Sequence, residues 1–349
     1  MVPEELRMAH YPSIDDCLGP AGQRFFGEGH KRVSRALTDV VVEAGAGGPG
    51  VTRGTGTLTY PADWSRKTTS LELRPHLSSL DALLLGLDAA EASLVTGYGL
   101  SEAQRRRCWL RGWSLRGGTT PQEEMTGVPV VAQPVSARAE PFSLAGFVTV
   151  YDCTIGGIRL QCEIEHEAVP EDGSAPPFPA TVAGNVEELL GAAPSRHFGT
   201  GYKLRRQTIR DVLVDPRGQA ANATVAVTVG DEATGAGIGA GYQPSLSMVD
   251  CMSVMAQLAQ VLFYQQDGVD RGSTNTLWMR RVAMRSNTPW QPLANPFVVD
   301  ARVDRTDLAE LHGGTWRVTR MVGNFQGIRA QTSLAHLLPA RSEPEMRNA

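Results

Sequence analysis

Three blocks of sequence recur in the same order at a nearly constant offset, and a chain built this way is constrained to fold as two copies of one unit. Arg24-Phe25-Phe26-Gly27-Glu28-Gly29-His30-Lys31 returns as Arg196-His197-Phe198-Gly199-Thr200-Gly201-Tyr202-Lys203, and the match runs on to Asp39-Val40 against Asp211-Val212. Residues 73–116 align on 242–285 without a gap, pairing Asp81 with Asp250, Trp109 with Trp278, Arg111 with Arg280 and Arg116 with Arg285. Gly157-Ile158-Arg159-x-Gln161 repeats as Gly327-Ile328-Arg329-x-Gln331, each followed five residues later by His166 or His336. The repeats are predicted at 24–169 and 195–339, with a proline-rich linker at 170–194 that holds a short helical turn at 186–190. Residues 1–23 and 340–349 are predicted to be peripheral.

Within each repeat the period changes once. Residues 31–42, 52–59, 204–214 and 223–229 are rich in β-branched side chains and predict strands. Leu77, Leu80, Leu84, Leu87, Ala90 and Leu94 then recur at helical spacing, as do Leu246, Val249, Ser253, Ala256, Ala259 and Phe263, so each repeat carries one long buried helix. Four further strand-like runs follow in each copy, at 108–116, 128–135, 147–151 and 158–164, and at 277–284, 297–303, 316–321 and 328–334. Strands joined by short turns pair antiparallel, and a sheet needs an apolar cover. This order predicts an α+β tandem (double) hotdog, each repeat an antiparallel sheet wrapped around one central helix, the two joined as an internal pseudo-dimer.

Charged residues make up 20% and hydrophobic residues 42% of the chain, the profile of a globular protein. A net charge of −4 gives no electrostatic reason to expect nucleic acid or an anionic membrane as partner. The longest apolar stretch, near residues 80–87, is far too short to span a bilayer, and the N-terminus lacks a signal-peptide pattern. Five cysteines (17, 108, 153, 162 and 251) without Cys-x-x-Cys spacing predict reduced thiols and a cytoplasmic location, with no metal site and no cofactor. Self-association into a homo-oligomer beyond the internal pair is compatible with this sequence.

Asp81 and Asp250 are the leading candidates for chemistry, because each falls in the first turn of its helix, where a carboxylate can act as general base. Ser78-x-x-Asp81 and Ser247-x-x-Asp250 also read as capping boxes, so a structural role stands beside the chemical one. Asp88 and Gln257 continue the same polar line, either lining a pocket or meeting a strand arginine. Of Arg111 and Arg116, and of Arg280 and Arg285, odd spacing on a strand turns one inward, where it would bind an anion or neutralise an aspartate. His30 faces Tyr202 in the repeat alignment and His76 faces Ser245; such differences mark where function could become asymmetric. No dehydratase pattern, nucleophile elbow or dinucleotide fingerprint occurs.

Ser13-Ile14-Asp15-Asp16-x-Leu18-Gly19-Pro20, followed by Arg24-Phe25-Phe26-Gly27-x-Gly29-His30, resembles the avirulence D (AvrD) family, and the predicted fold resembles that of AfsA-type butenolide synthases. The resemblance implies transfer of a β-ketoacyl group from a carrier-protein or CoA thioester to a hydroxyl of a ketose or sugar phosphate, giving a syringolide- or butenolide-type product. On that expectation Asp81, Asp250 or His30 is the base, while the arginines, His76, Tyr202, Asp88 and Gln257 bind substrate. A non-catalytic ligand-binding shell and a hotdog thioesterase or hydratase are the alternatives.

Overall fold

The computed structural model describes residues 8–45, 48–66, 74–118, 120–167, 179–215, 217–230, 235–269, 271, 277–293, 296–311 and 314–338. The expected tail at 340–349 and the first part of the expected linker, 170–178, lie outside the described residues. The elements run β1 (Ala9–Ser13), α1 (Ile14–Leu18), β2 (Ser34–Val42), β3 (Thr52–Thr59), α2 (Ser79–Tyr98), α3 (Glu102–Arg107), β4 (Trp109–Arg116), β5 (Val128–Ala139), β6 (Gly146–Ile155) and β7 (Ile158–Glu167). They continue with β8 (Thr181–Asn185), α4 (Glu187–Leu190), β9 (Arg205–Val214), β10 (Ala220–Val229), α5 (Met248–Asp267), β11 (Trp278–Ser286), β12 (Phe297–Leu311), β13 (Gly314–Phe325) and β14 (Ile328–Leu337).

These strands form one antiparallel sheet in the order β1-β9-β10-β12-β13-β14-β11-β4-β7-β6-β5-β3-β2-β8. The order reads the same from both ends, because β4 and β11 are equivalent strands that pair with each other at the centre. Equivalence reaches into the backbone: Asp39 (φ 51°) and Asp211 (φ 49°) both adopt a left-handed conformation at a register shift between the first two long strands of each repeat. An aspartate tolerates that conformation better than most side chains, and the bulge bends the strand.

The outer strands correct the expectation that residues 1–23 are peripheral. β1, from the N-terminal lead, pairs with β9 of the second repeat, whereas β8, from the linker, pairs with β2 of the first. Each is followed by one short helix and a left-handed glycine, Gly19 (φ 77°) or Gly191 (φ 76°). Lead and linker are therefore equivalent segments, each lent to the opposite repeat's sheet edge.

Both central helices start at a serine cap, Ser78 or Ser247, and end at a left-handed glycine, Gly99 or Gly268. Fifteen of the twenty residues of α2 are buried and sixteen of those of α5, so each helix is covered on its sheet side and on the far side too. The far side is covered by the other repeat. The Arg-x-Phe-Gly turn of the first repeat lays the Phe26 carbonyl on α5, where Ser253 Oγ donates to it at 2.8 Å and Gln257 Nε2 at 3.0 Å. The equivalent turn of the second repeat lays Arg196 on α2, its Nη1 2.6 Å from Asp88 Oδ1 and 3.9 Å from Glu91. Arg105 holds Glu91 at 2.7 Å, and Arg35 stands 3.9 Å from Asp88. The turn's glycine is required by close approach: a Cβ on Gly27 would sit 2.2 Å from the Ala21 carbonyl oxygen, and one on Gly199 2.3 Å from that of Ala193.

Removing one member of a buried ion pair strands the other in a medium that solvates it badly. Arg196→Ala is expected to lower stability by roughly 3–5 kcal/mol in urea denaturation. Arg53→Ala, whose Glu43 partner is solvent-exposed, is expected to cost less than about 1 kcal/mol.

Candidate functional site

The start of each central helix meets the opposite repeat, creating two equivalent positions, and only one of them is open. At the start of α2 lies a cavity of about 150 Å³. Leu77, Ser78 and Ser79 form its helical wall, Phe25, Phe26 and Trp64 an aromatic wall, and Ala256, Gln260 and Tyr264 of α5 its opposite side. Trp278, Met279 and Arg280 of β11 complete it with Gly117, Gly118 and Gln122. The equivalent position at the start of α5, with Leu246, Ser247, Met248 and Gln291 in the corresponding places, holds only about 50 Å³. No residue of α2 lines it; Ile238 and Gly239 do, and the Ile238 N–H donates to Glu91 of α2 at 3.1 Å, whereas Gln260 of α5 lines the larger cavity directly.

The two aspartates part in the same way. Asp250 is fully buried and held by Arg205, with Nη2 at 2.7 Å and Nε at 3.0 Å from both carboxylate oxygens, and by Gln207 Nε2 at 2.7 Å. Ser247 closes the capping box through its N–H at 2.9 Å. Burial would raise this carboxyl, but the Arg205 guanidinium outweighs it and holds the group below its ordinary value. The first repeat has Val33 where the second has Arg205. Asp81, equally buried, accepts among the described residues only from hydroxyls: Tyr60 at 2.5 Å and Ser78 Oγ at 2.6 Å. Arg35 and Lys203 act on it through space, yet their hydrogen bonds go to main-chain carbonyls of Phe198, Gly199 and Val33. Burial therefore prevails and pushes the Asp81 carboxyl above its ordinary value. Tyr60 also takes the Ser78 N–H at 3.2 Å, the bond that Asp250 receives in the second repeat. Asp81 is one hydrogen bond behind the cavity surface, reached through Ser78.

Of the remaining candidates, His76 and Arg280 join this cavity. His76 packs edge-on against Trp64 with ring centroids 6.1 Å apart, and burial lowers its pKa. Arg280 crosses from the second repeat, donating to the Gly118 carbonyl at 2.8 Å with its guanidinium 5.7 Å from the Trp278 ring centre. It sits at a β-bulge between Met279 and Arg281, which aims it at the cavity. Arg111 occupies the matching bulge between Leu110 and Gly112 but lies 3.6 Å from Glu165 and 3.5 Å from Glu140. Arg116 and Arg285 project from the solvent face of the sheet, the latter 2.9 Å from Glu163. Asp88 and Gln257 belong to the inter-repeat contacts already described. His30 lies outside the cavity lining, stacked on Tyr202 at 6.2 Å, its Nδ1 bonded to the Phe25 carbonyl; burial drives its pKa down to about 4. Neutral at pH 7 and enclosed, it is not placed to take a proton from a ligand in this cavity. Buried Tyr202, raised to about 12, is likewise a packing partner. His166 and His336 bond Thr149 and Asp267 near the far ends of the helices. Among the described residues no cluster of metal-ligating side chains occurs.

Tyr60, Trp64, Gln122 and Glu91 went unnoticed in the sequence. Gln122 alone carried a signal, since it aligns with Gln291, and both carbonyls accept the N–H of the leucine before the capping serine, at 2.8 and 2.7 Å.

The sequence profile described as Pseudomonas avirulence D protein (AvrD) matches residues 9–339. No curated protein matches the chain. Similar solved structures include a protein of unknown function with a hot dog fold from Alicyclobacillus acidocaldarius (9% identity, TM-score 0.38, covering 85% of this chain and 97% of that one). Others are the acyl-CoA thioesterase II TesB2 from Mycobacterium marinum (8%, 0.31, 84% and 94%) and the dehydratase domain of PpsC from Mycobacterium tuberculosis, in complex with C12:1-CoA (10%, 0.29, 86% and 97%). At these scores the likeness carries no argument about substrate.

The two carboxyls have opposite linkage. Asp250, with its folded pKa depressed, contributes stability above its unfolded value near 3.8 that is lost as pH falls through the folded value. Asp81, with its folded pKa raised, favours the fold only at low pH and becomes a cost as pH rises. Asp81→Asn should therefore raise the Tm at pH 7 and lose that advantage near pH 4. Asp250→Asn should lower stability by roughly 3–5 kcal/mol, as breaking a buried pair does. Thermal unfolding of both variants across pH 4–8 checks the signs.

Proposed function

Because the chain belongs to the AvrD family, we propose that it is an acyl-transfer enzyme with a tandem-hotdog architecture, whose single working site is the cavity at the start of α2. The observation that carries this reading is the asymmetry: the open cavity and the carboxyl that, among the described residues, makes no ion pair occur at the same one of two equivalent positions. Pairs of titratable groups pushed apart by their surroundings mark acid–base sites.

The donor is a β-ketoacyl thioester, its acyl chain against Phe25, Phe26, Trp64 and Leu277. The first-turn N–H groups of Ser79 and Leu80 have no intrahelical acceptor and face charge that develops on the thioester oxygen. A ketose or sugar-phosphate hydroxyl attacks the carbonyl carbon, the C–S bond breaks, and the sulfur leaves as a thiolate that takes up, through Ser78, the proton Asp81 received from the hydroxyl. The hydroxyl's proton passes to Ser78 Oγ as Ser78 gives its own to Asp81, whose raised pKa suits it to receive one. Arg280 holds the acceptor's phosphate or the β-keto enolate. A thioesterase would place water where the sugar hydroxyl stands.

Mass spectrometry of protein incubated with β-ketoacyl thioesters, with and without ketoses and their phosphates, tests this. A sugar ester or butenolide mass that needs both substrates is expected, and Asp81→Asn should slow its formation by about 10²–10⁴-fold, as loss of a general base does. Asp250→Asn protein that remains folded should keep its rate. Free acid released equally without sugar would make the protein a thioesterase. Tight ligand retention without turnover would make it a binding protein.

A further inference from the structure

The outer face of the sheet carries an arrangement that folding alone does not favour. In the register of the three central strands, Arg159 of β7 is the direct cross-strand partner of Arg116 of β4, and Arg116 is the direct partner of Arg281 of β11. All three are exposed, while their neighbours Leu160, Leu115 and Val282 point into the core. Three guanidinium groups thus line up side by side at strand spacing. Like charges directly opposite each other in a sheet are destabilising. None of the three has an ion-pair partner among the described residues, and the carboxylate in the same trough, Asp152, accepts from Gln161 at 2.8 Å.

The equivalent row on the other side of the pseudo-axis is different. There Arg329 faces Arg285, but the next position is Gly112, and Glu163 neutralises Arg285 at 2.9 Å. The unneutralised row is the one beside the open cavity. Arg116 and Arg281 are followed and preceded in the chain by Gly117 and Arg280, and both of those line it.

We propose that the Arg159–Arg116–Arg281 row is a phosphate-binding site that holds the phosphates of a phosphopantetheine-bearing acyl donor while its thioester enters the cavity. The proposal rests on the acyl-transfer reading and supplies what that cavity lacks, a grip on the anionic end of the donor. Guanidinium forks match phosphate oxygens bidentately, and a bound polyanion relieves the repulsion within the row. Coenzyme A and a carrier-protein arm share the phosphate on pantetheine, and coenzyme A adds two more.

Calorimetric titration with coenzyme A and with pantetheine, which lacks phosphate, tests the row without needing turnover. Coenzyme A should bind wild-type protein more tightly than pantetheine, with an affinity that falls as salt rises. Arg116→Gln/Arg281→Gln should weaken coenzyme A by roughly 10- to 100-fold, leave pantetheine unchanged, and raise the Tm of the unliganded protein. Equal binding of coenzyme A to both proteins, or no preference over pantetheine in the wild type, overturns the site and leaves the transfer reaction standing. Conversely, coenzyme A held by the row in a protein that transfers no acyl group upholds the site and removes only the reaction. With acyl donors, a rate loss for coenzyme A alone places the binding on its extra phosphates, and a loss for carrier-borne donor as well places it on the shared one.

Discussion

The contact on which the rest of this molecule depends is the reciprocal one between each Arg-x-Phe-Gly turn and the other repeat's central helix. Both helices carry polar groups in a stretch that is buried on all sides, and buried polar groups demand partners. Those partners come from across the pseudo-axis: Arg196 for Asp88, and the Phe26 carbonyl for Ser253 and Gln257. With β1 and β8 exchanged at the sheet edges, neither repeat completes its own core. The duplication is thus built into one cooperative body, and any site at a helix start is composed of both copies.

That composite construction allows the two halves to diverge in chemistry while remaining equivalent in backbone. Each helix begins with the same Ser-x-x-Asp, its serine Oγ accepting the aspartate N–H in both, but the carboxylate closes the box in the second repeat whereas Tyr60 takes the Ser78 N–H in the first. One valine-for-arginine difference, Val33 against Arg205, sets the state of the carboxyl beside it. Where the guanidinium is present, the aspartate is a neutralised structural anion in a nearly filled interface. Where it is missing, two hydroxyls are left to stabilise a buried acid, and the space next to it stays open. At the second position Ile238 lies in the lining, tied through its N–H to Glu91 of the α2 ion cluster.

Much of this architecture is legible in the sequence. The block offsets give the duplication, the change from strand to helical spacing gives the helices, and Ser78-x-x-Asp81 and Ser247-x-x-Asp250 fix their starts within a residue or two. These are local signals, since caps, periodicities and close-packed glycines act over a few residues. Even the Asp39 and Asp211 bulges appear as the Asp-Val match that ends the first block.

What only the tertiary structure decided are relations between residues far apart in the chain. Asp250 and Arg205 are 45 residues apart, and Asp88 and Arg196 are 108 apart. No local pattern tells which arginine reaches which acid. Odd spacing was expected to turn one arginine of each pair inward. The choice of Arg280 comes from a bulge in β11, and the retention of Arg111 from Glu165 and Glu140 on neighbouring strands. His30 differs from its counterpart Tyr202, the pattern expected of an active residue, yet the two rings stack against each other in the interior. The sequence by itself determined two copies, their helices and the placement of their acids. Register and burial, which follow from long-range pairing, decided which acid was left able to take up a proton and which arginines stood together.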